Sequence, residues 1–188
     1  MIEGICSEWH MFRMAHVQNN SSKNVNENQI QVQRKYKLIR KARVTDVVVM
    51  KQIISSYSKD ELMLARSLSE MYESIRDYYV YETDGEVVGC CALHVVWIDL
   101  AEILALAVKP VCSRKGIGSK LVSACLEDAR QLSMKEVFAL TYVPEFFATL
   151  GFEIVDKNSL PRKIWTGCLR CPKFPDCNEI AVLKSIDS

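Results

Sequence analysis

Residues 102–132 read EILALAVKPVCSRKGIGSKLVSACLEDARQL. The first seven are apolar except for Glu102, and Pro110 closes the run. A near-continuous apolar stretch of that length predicts a strand covered on both faces. From Ile117 the period changes. Ile117, Leu121, Val122, Cys125, Leu126 and Ala129 recur at helical spacing and predict a helix over 117–132 with one buried face. Between strand and helix lies Ser113-Arg114-Lys115-Gly116-Ile117-Gly118-Ser119-Lys120. The free N–H groups of a helix start, with the positive end of its dipole, form an anion site. Gly116 and Gly118 carry no side chain, so a phosphate can approach the backbone. Arg114, Lys115 and Lys120 add positive charge. The segment reads as a pyrophosphate cradle, or more plainly as a glycine loop with solvated basic residues. The Gly-x-x-x-x-Gly-Lys-Ser/Thr spacing of a P-loop is absent. A dinucleotide fingerprint would need glycine at 121, where Leu121 stands.

Other elements follow outward from this stretch. The run 37–44 predicts a first strand. Thr45 or Asp46 then caps a helix to about Tyr57, with Val48, Ile53 and Ile54 among its core candidates. A second helix is predicted over 60–77 from Leu62, Leu64, Leu68, Met71, Tyr72 and Ile75. Two β-rich runs, 78–83 and 86–97, flank Asp84-Gly85, a strong two-residue hairpin signal. A strand over 136–142, a short helix over 144–150 and a strand from Phe152 to Val155 complete the set, and a short apolar run closes it at Ile180. The order β-α-α-β-β-β-α-β-α-β predicts an α/β (α+β layered) domain with a mixed central sheet flanked by helices. It spans 37–188. Residues 1–36 read as a flexible extension, because nine of the sixteen residues from 18 to 33 are Asn or Gln.

Composition narrows the function. Among 188 residues, 24 Lys and Arg oppose 23 Asp and Glu, a net charge of +1. That balance argues against bulk attraction to nucleic acid or an anionic membrane. The most apolar region, 87–108, is broken by His94, Asp99 and Glu102, so no span of about 20 apolar residues exists. No basic region precedes an apolar block at the start, and the expected location is the cytoplasm with reduced thiols. Cys90, Cys91, Cys112 and Cys125 then read as core residues. Cys168, Cys171 and Cys177 form a Cys-x-x-Cys with a third thiol, a spacing that suits structural zinc, an iron–sulfur cluster or a reduced, unmetallated tail.

The glycine turn resembles the acetyl-CoA-binding motif of the GNAT family of N-acetyltransferases, Arg/Gln-x-x-Gly-x-Gly/Ala at a helix start after a central strand. Gly116 and Gly118 match it. Ser113 stands at the usual Arg/Gln position, and Arg114 stands where glycine is common. Phe146-Phe147-Ala148-Thr149-Leu150-Gly151-Phe152 is similar to a second landmark of the family. There Phe147 occupies the place of a tyrosine that protonates the leaving thiolate in many members. The closest resemblance is to the short, stand-alone amino-acid acetyltransferases of the N-acetylglutamate synthase type. It is carried by the segments 39–46, 64–68, 88–94 and 99–103, then 140–147, Val155-Asp156 and Leu160-Pro161. Leu104 departs from it, since relatives often carry Arg or Lys there.

The resemblance implies acetyl-CoA as co-substrate and direct transfer to a small amino acid, with L-glutamate the first choice. It implies backbone contacts to the cofactor from Leu106 and Val108, and from the loop Arg114, Lys115, Gly116, Ile117, Gly118 and Ser119. Arg66 matches a basic position of the relatives and is a partner for substrate carboxylate, or a solvated surface arginine. Glu102, a lone carboxylate in an apolar strand, is a general base acting through water or an edge residue facing solvent. Tyr142, at a strand terminus, is a candidate acid. His94 reads as a strand histidine. A homodimer is compatible with this reading. The alternatives are a GNAT enzyme for another amino acid, a polyamine or a protein amine, and a non-catalytic CoA- or metal-binding sensor.

Overall fold

In a computed structural model of the chain, residues 38–58, 63–160 and 177–186 are described. The extension 1–36 and the thiols Cys168 and Cys171 fall outside them. Seven strands, β1 (Leu38–Lys41), β2 (Tyr78–Thr83), β3 (Glu86–Val95), β4 (Leu100–Val108), β5 (Glu136–Thr141), β6 (Glu153–Val155) and β7 (Ile180–Ser185), form one sheet in the order β1-β2-β3-β4-β5-β7-β6. β1 to β4 pair antiparallel, β4 and β5 pair parallel, and β7 runs antiparallel between β5 and β6. The helices are α1 (Val47–Ser58), α2 (Leu68–Glu73), α3 (Ile117–Gln131) and α4 (Pro144–Ala148).

The β2–β3 hairpin forms at Asp84-Gly85, with φ of 53° and 78° as a type I′ turn requires. α3 covers one face of the sheet, and its six expected apolar residues are all buried. They pack with Tyr81, Val88, Cys91, Leu93, Ala101 and Ile103. The opposite face is covered by α1, whose Val47, Met50, Ile53 and Ile54 meet Tyr78, Val80, Cys90, Ala92 and Ala107. Cys112 is half-buried in the turn after β4, unlike the fully buried Cys90, Cys91 and Cys125.

Several local expectations are corrected. The first strand stops at Lys41, because the Asp46 carboxylate accepts hydrogen bonds from the Arg43 N–H (2.7 Å) and the Arg40 guanidinium (2.6 Å) and bends the chain into a 3-10 turn. Val48 is 54% exposed, since the buried stripe of α1 runs through Val47 and Met50 instead. Of the helix expected over 60–77, residues 60–62 lie outside the described residues, 63–67 are irregular, and a helix begins at Leu68. Ser67 and Glu70 form a capping box there: the Ser67 N–H donates to the Glu70 carboxylate (2.7 Å), and the Glu70 N–H donates to Ser67 Oγ (3.2 Å). A separate 3-10 turn, Ile75–Asp77, follows. Leu68 and Tyr72 are exposed, and Met71 alone of α2 is buried. The terminal apolar run is a full strand, β7, which completes the sheet between β5 and β6.

β4 is covered less evenly than a doubly buried strand. Cys90 pairs with Ala107 and Ala92 with Leu104, so Cys91 faces both Ala105 and Leu106 across a bulge. Ala105 adopts φ 54°, the left-handed region. The extra residue inverts the alternation. Ala101 and Ile103 face α3, whereas Ala107 faces the α1 side and Leu106 and Val108 take over the α3 side.

Candidate functional site

β4 and β5 register as partners only over Leu100–Glu102 against Glu136–Phe138. Beyond that point, among the described residues, β5 pairs with β7 alone, up to Thr141. Two parallel strands joined at one end and parted at the other leave a wedge with Glu102 at its vertex. The C-terminal ends of both strands lie at its mouth, the usual ligand position in open α/β sheets.

The wedge exposes backbone donors on β4. Lys109 N–H donates to Val88 O (2.7 Å), so it points at β3. Strand alternation then turns the N–H groups of Val108 and Leu106 to the opposite edge, toward the wedge. Tyr57, on α1, donates its hydroxyl hydrogen to the Val108 carbonyl and fixes that strand end. Lys109 pairs with Glu86 beside it.

The glycine turn stands at the same end. Pro110–Cys112 forms a 3-10 turn, Arg114 adopts φ 58°, and Gly116 caps α3 at φ 73°. Gly116 offers no side-chain cap, so the first helical N–H groups, of Ile117, Gly118 and Ser119, point outward uncapped. Arg114, Lys115 and Lys120 are exposed around them. Gly118 lies under Phe146, whose ring is 3.4 Å from where a Cβ would stand. Gly89 on β3 brings α3 down to the sheet: a Cβ there would meet Leu121 at 3.1 Å, the Ala107 carbonyl at 3.2 Å and Ile117 at 3.3 Å. A surface of bare N–H groups, open glycine Cα positions and three cations fits the pyrophosphate of a coenzyme A.

At the vertex the charges are of another kind. Glu102 is half-buried, and desolvation pushes its carboxyl up to about 7, while the Arg66 and His94 charges pull it down and Glu179 pulls it up. His94 lies directly across from Glu102 in the β3–β4 ladder. Their neighbours Leu93 and Ile103 face α3, so both side chains stand on the face that carries α1 and α2. His94 Nδ1 is 2.7 Å from Asp77 Oδ2, and that bond holds the imidazole above its ordinary pKa. Arg66 sits in the irregular stretch before α2, not on a helix as expected, and its charge reaches both Glu102 and His94.

The structure thus brings together Arg66, His94 and Glu102 at the vertex, and Leu106, Val108 and the 114–119 turn at the mouth. Tyr142 follows β5 directly and is half-buried. Phe147 is fully enclosed, edge-on to Phe146 and Phe152 with ring centroids 5.2 Å away in each case, and serves the core. Leu104 packs against the α1-side cluster. Cys177 is half-buried, 3.9 Å from Lys157 Nζ and 3.5 Å from the Glu179 carboxylate. Among the described residues no three His, Cys, Asp or Glu side chains converge as a metal site. No described helix is long and apolar enough to cross a membrane.

Two participants escaped sequence reasoning. Asp77 was readable only roughly: counting outward from the Asp84-Gly85 turn pairs Tyr78 with Cys91, and a bulge between Tyr81 and Glu82 shifts that partner to Ala92, which leaves Asp77 near His94. Glu179 was not, because its position depends on β7 inserting beside β5.

The acetyltransferase (GNAT) family profile matches residues 49–152. The chain belongs to that family. An uncharacterized N-acetyltransferase of Chlorobaculum tepidum is 38% identical over 148 residues, covering 79% of this chain and 96% of the relative. The amino-acid acetyltransferase of Mycobacterium tuberculosis is 37% identical over 131 residues, covering 68% of this chain and 75% of the relative. Among solved structures, Rv2747 of Mycobacterium tuberculosis, in complex with CoA and NLQ, superposes with a TM-score of 0.70 at 32% identity over 80% of this chain and 99% of that one. N-acetylglutamate synthase of Neisseria gonorrhoeae, complexed with coenzyme A and N-acetyl-glutamate, gives a TM-score of 0.73 at 25% identity over 81% of this chain and 36% of that one. The GNAT fold, the acyltransferase class and the kinship with amino-acid acetyltransferases are therefore established for the chain.

Proposed function

We infer that this GNAT acetyltransferase transfers the acetyl group of acetyl-CoA to the α-amine of L-glutamate, the opening reaction of arginine biosynthesis. The observation that carries the reading is the vertex of the wedge: a desolvated carboxyl, Glu102, next to a cationic Arg66. A glutamate substrate presents an ammonium to be deprotonated and carboxylates to be neutralised, and these two side chains are complementary to it. The kinship with amino-acid acetyltransferases supports the choice.

Acetyl-CoA supplies an acetyl group activated as a thioester. The N–H groups of Ile117, Gly118 and Ser119, with Arg114, Lys115 and Gly116, hold its pyrophosphate. The N–H groups of Leu106 and Val108 hold and orient it along the open edge of β4, so that positioning and fixed dipoles supply most of the rate. Arg66 pairs with a carboxylate of the amino acid. Glu102 takes the ammonium proton through water, and its carboxyl near 7 suits that task at neutral pH. Tyr142 donates a proton to the departing thiolate in place of Phe147, which has none to give.

Thiol release from acetyl-CoA, followed against the twenty amino acids and several polyamines, tests the reading. Glutamate should give the highest kcat/KM. Glu102→Gln should cut kcat at neutral pH about 10²- to 10⁴-fold and leave acetyl-CoA affinity unchanged. A preference for another amine would reassign the substrate, with Leu104 the first position to compare. An unaltered pH–rate profile in Glu102→Gln would remove the base assignment.

A further inference from the structure

The Asp77–His94 pair is absent from the chemistry derived above, yet it stands at the vertex. His94 and Glu102 are cross-strand partners in the β3–β4 ladder. Directly opposite residues of an antiparallel pair carry their Cβ atoms about 4.5–5.5 Å apart on one face. The imidazole is not left to rotate: its Nδ1 is anchored 2.7 Å from the Asp77 carboxylate, from the 3-10 turn after α2. Its side chain is 52% exposed, and that of Asp77 27%. The pair therefore has solvent on one side and the half-buried Glu102 on the other.

We propose that His94, clamped by Asp77, is a positioning residue for Glu102: its imidazolium favours the basic form of the carboxylate while substrate occupies Arg66. This rests on Glu102 being the base. Among the described residues, the charged groups that face Glu102 are Arg66 from the stretch before α2, His94 from β3 and Glu179 from the approach to β7. Those facing His94 are Asp77, Glu102 and Arg66. Arg66 is engaged by substrate carboxylate in the reading above, and so much of its field is then spent on the substrate. Among the described residues, His94 is the cation at the vertex that no substrate group is proposed to neutralise. Asp77 favours the charged imidazole through a direct hydrogen bond and thereby sustains that field near neutral pH.

The sign of the effect is fixed. A nearby positive charge favours ionised Glu102, so removing it makes Glu102 a carboxylic acid over a wider pH range. The activity that rises as Glu102 deprotonates then rises at higher pH. The test is the pH dependence of kcat for the full chain with its best amine, measured for wild type, His94→Gln, His94→Lys, Asp77→Asn and Glu102→Gln. In His94→Gln the acid limb should move up by roughly half to one pH unit, with KM for acetyl-CoA unchanged. Asp77→Asn should move it the same way. His94→Lys, which restores a cation, should bring it back to or below its wild-type position. A His94→Gln limb that superimposes on wild type overturns the inference, as does an equal fall of kcat at every pH in His94→Gln and His94→Lys. Should His94→Lys fail to fold, Asp77→Asn provides the second reading. Glu102→Gln separates the two levels. Loss of its acid limb together with an unmoved limb in His94→Gln rejects the role of His94 alone. Retention of the limb in Glu102→Gln rejects the base.

Discussion

Glu102 is held in an environment that opposes its charge, and stability should record the strain. Desolvation lifts its carboxyl from the ordinary carboxylate range to about 7 in the folded chain. A carboxyl whose pKa is raised by folding binds its proton more tightly in the native state. The native state therefore loses stability as pH rises from the ordinary carboxylate range toward 7, and the loss is complete above it. Glutamine cannot ionise and escapes it. Glu102→Gln should thus be more stable than wild type at pH 8, by on the order of 2 kcal/mol, and no more stable at pH 4. Urea unfolding at the two pH values measures this. Equal midpoint differences at both would mean that the carboxyl is not desolvated. Together with the loss of kcat, the gain would show a group kept for chemistry at the expense of the fold.

Elements divide the glycines into two kinds, and substitution should separate them. At Gly89 a methyl group would press on the Ala107 carbonyl and on Leu121 and Ile117 at 3.1–3.3 Å, and backbone cannot yield cheaply. Gly89→Ala should destabilise by about 1–3 kcal/mol by lifting α3 off β3. At Gly118 the same methyl meets only the Phe146 ring at ordinary contact distance, 3.4–3.5 Å. Gly118→Ala should leave the thermal midpoint unchanged or higher, since alanine favours the helix. It should leave KM for acetyl-CoA nearly unchanged, because the methyl turns toward the Phe146 ring and the motif it resembles carries glycine or alanine at that position. Thermal melts and initial rates on the two variants check the contrast; a stability loss at Gly118 would make it a packing residue. Only part of this was legible beforehand. The turn at Gly116 and Gly118, the Asp84-Gly85 hairpin and the buried face of α3 follow from local chemistry, and residue type alone expressed them. Glu102 was marked as an isolated carboxylate in an apolar run. Its placement at a vertex was not, because where β4 parts from β5 is set by pairing between strands distant in sequence, which no local pattern expresses. The bulge at Ala105 was equally hidden: alanine signals no left-handed backbone, and the inversion of faces it causes comes from pairing with β3. Apolar spacing over 60–77 predicts one long helix, whereas the Ser67–Glu70 capping box starts the helix at Leu68.

Across the described domain, the sheet separates the α3-side core from the α1-side core, and its β1 edge is thin. β1 has four residues, none buried; it pairs with β2 along its length and is also tied by charge. Arg40 spans two carboxylates, Asp46 at 2.6 Å and Glu82 at 2.8 Å, and so ties β1 to the start of α1 and to β2. Lys41 reaches Asp128 of α3 at 2.6 Å and lies 4.0 Å above the Tyr79 ring. The two helical layers, on opposite faces, are thus fastened at this edge through adjacent residues of one short strand. Burial pushes the Asp46 carboxyl up, but hydrogen bonds from the Arg40 guanidinium and the Arg43 N–H outweigh it and leave it below the ordinary carboxylate range. A carboxylate depressed by folding stabilises the native state above its unfolded pKa, and that contribution is lost as pH falls through the folded value. Asp46→Asn keeps the shape and part of the hydrogen bonding but removes the charge. At pH 7 it should lower unfolding free energy by about 1–3 kcal/mol, since it leaves a partly buried guanidinium short of a partner. The deficit should shrink steadily as the pH is lowered into and below the carboxylate range, where wild-type Asp46 is itself protonated. Urea titrations of both proteins between pH 7 and pH 3 would show the two stabilities converging. A difference that stays constant across that range would assign the role of Asp46 to the shape of the turn instead of to its charge.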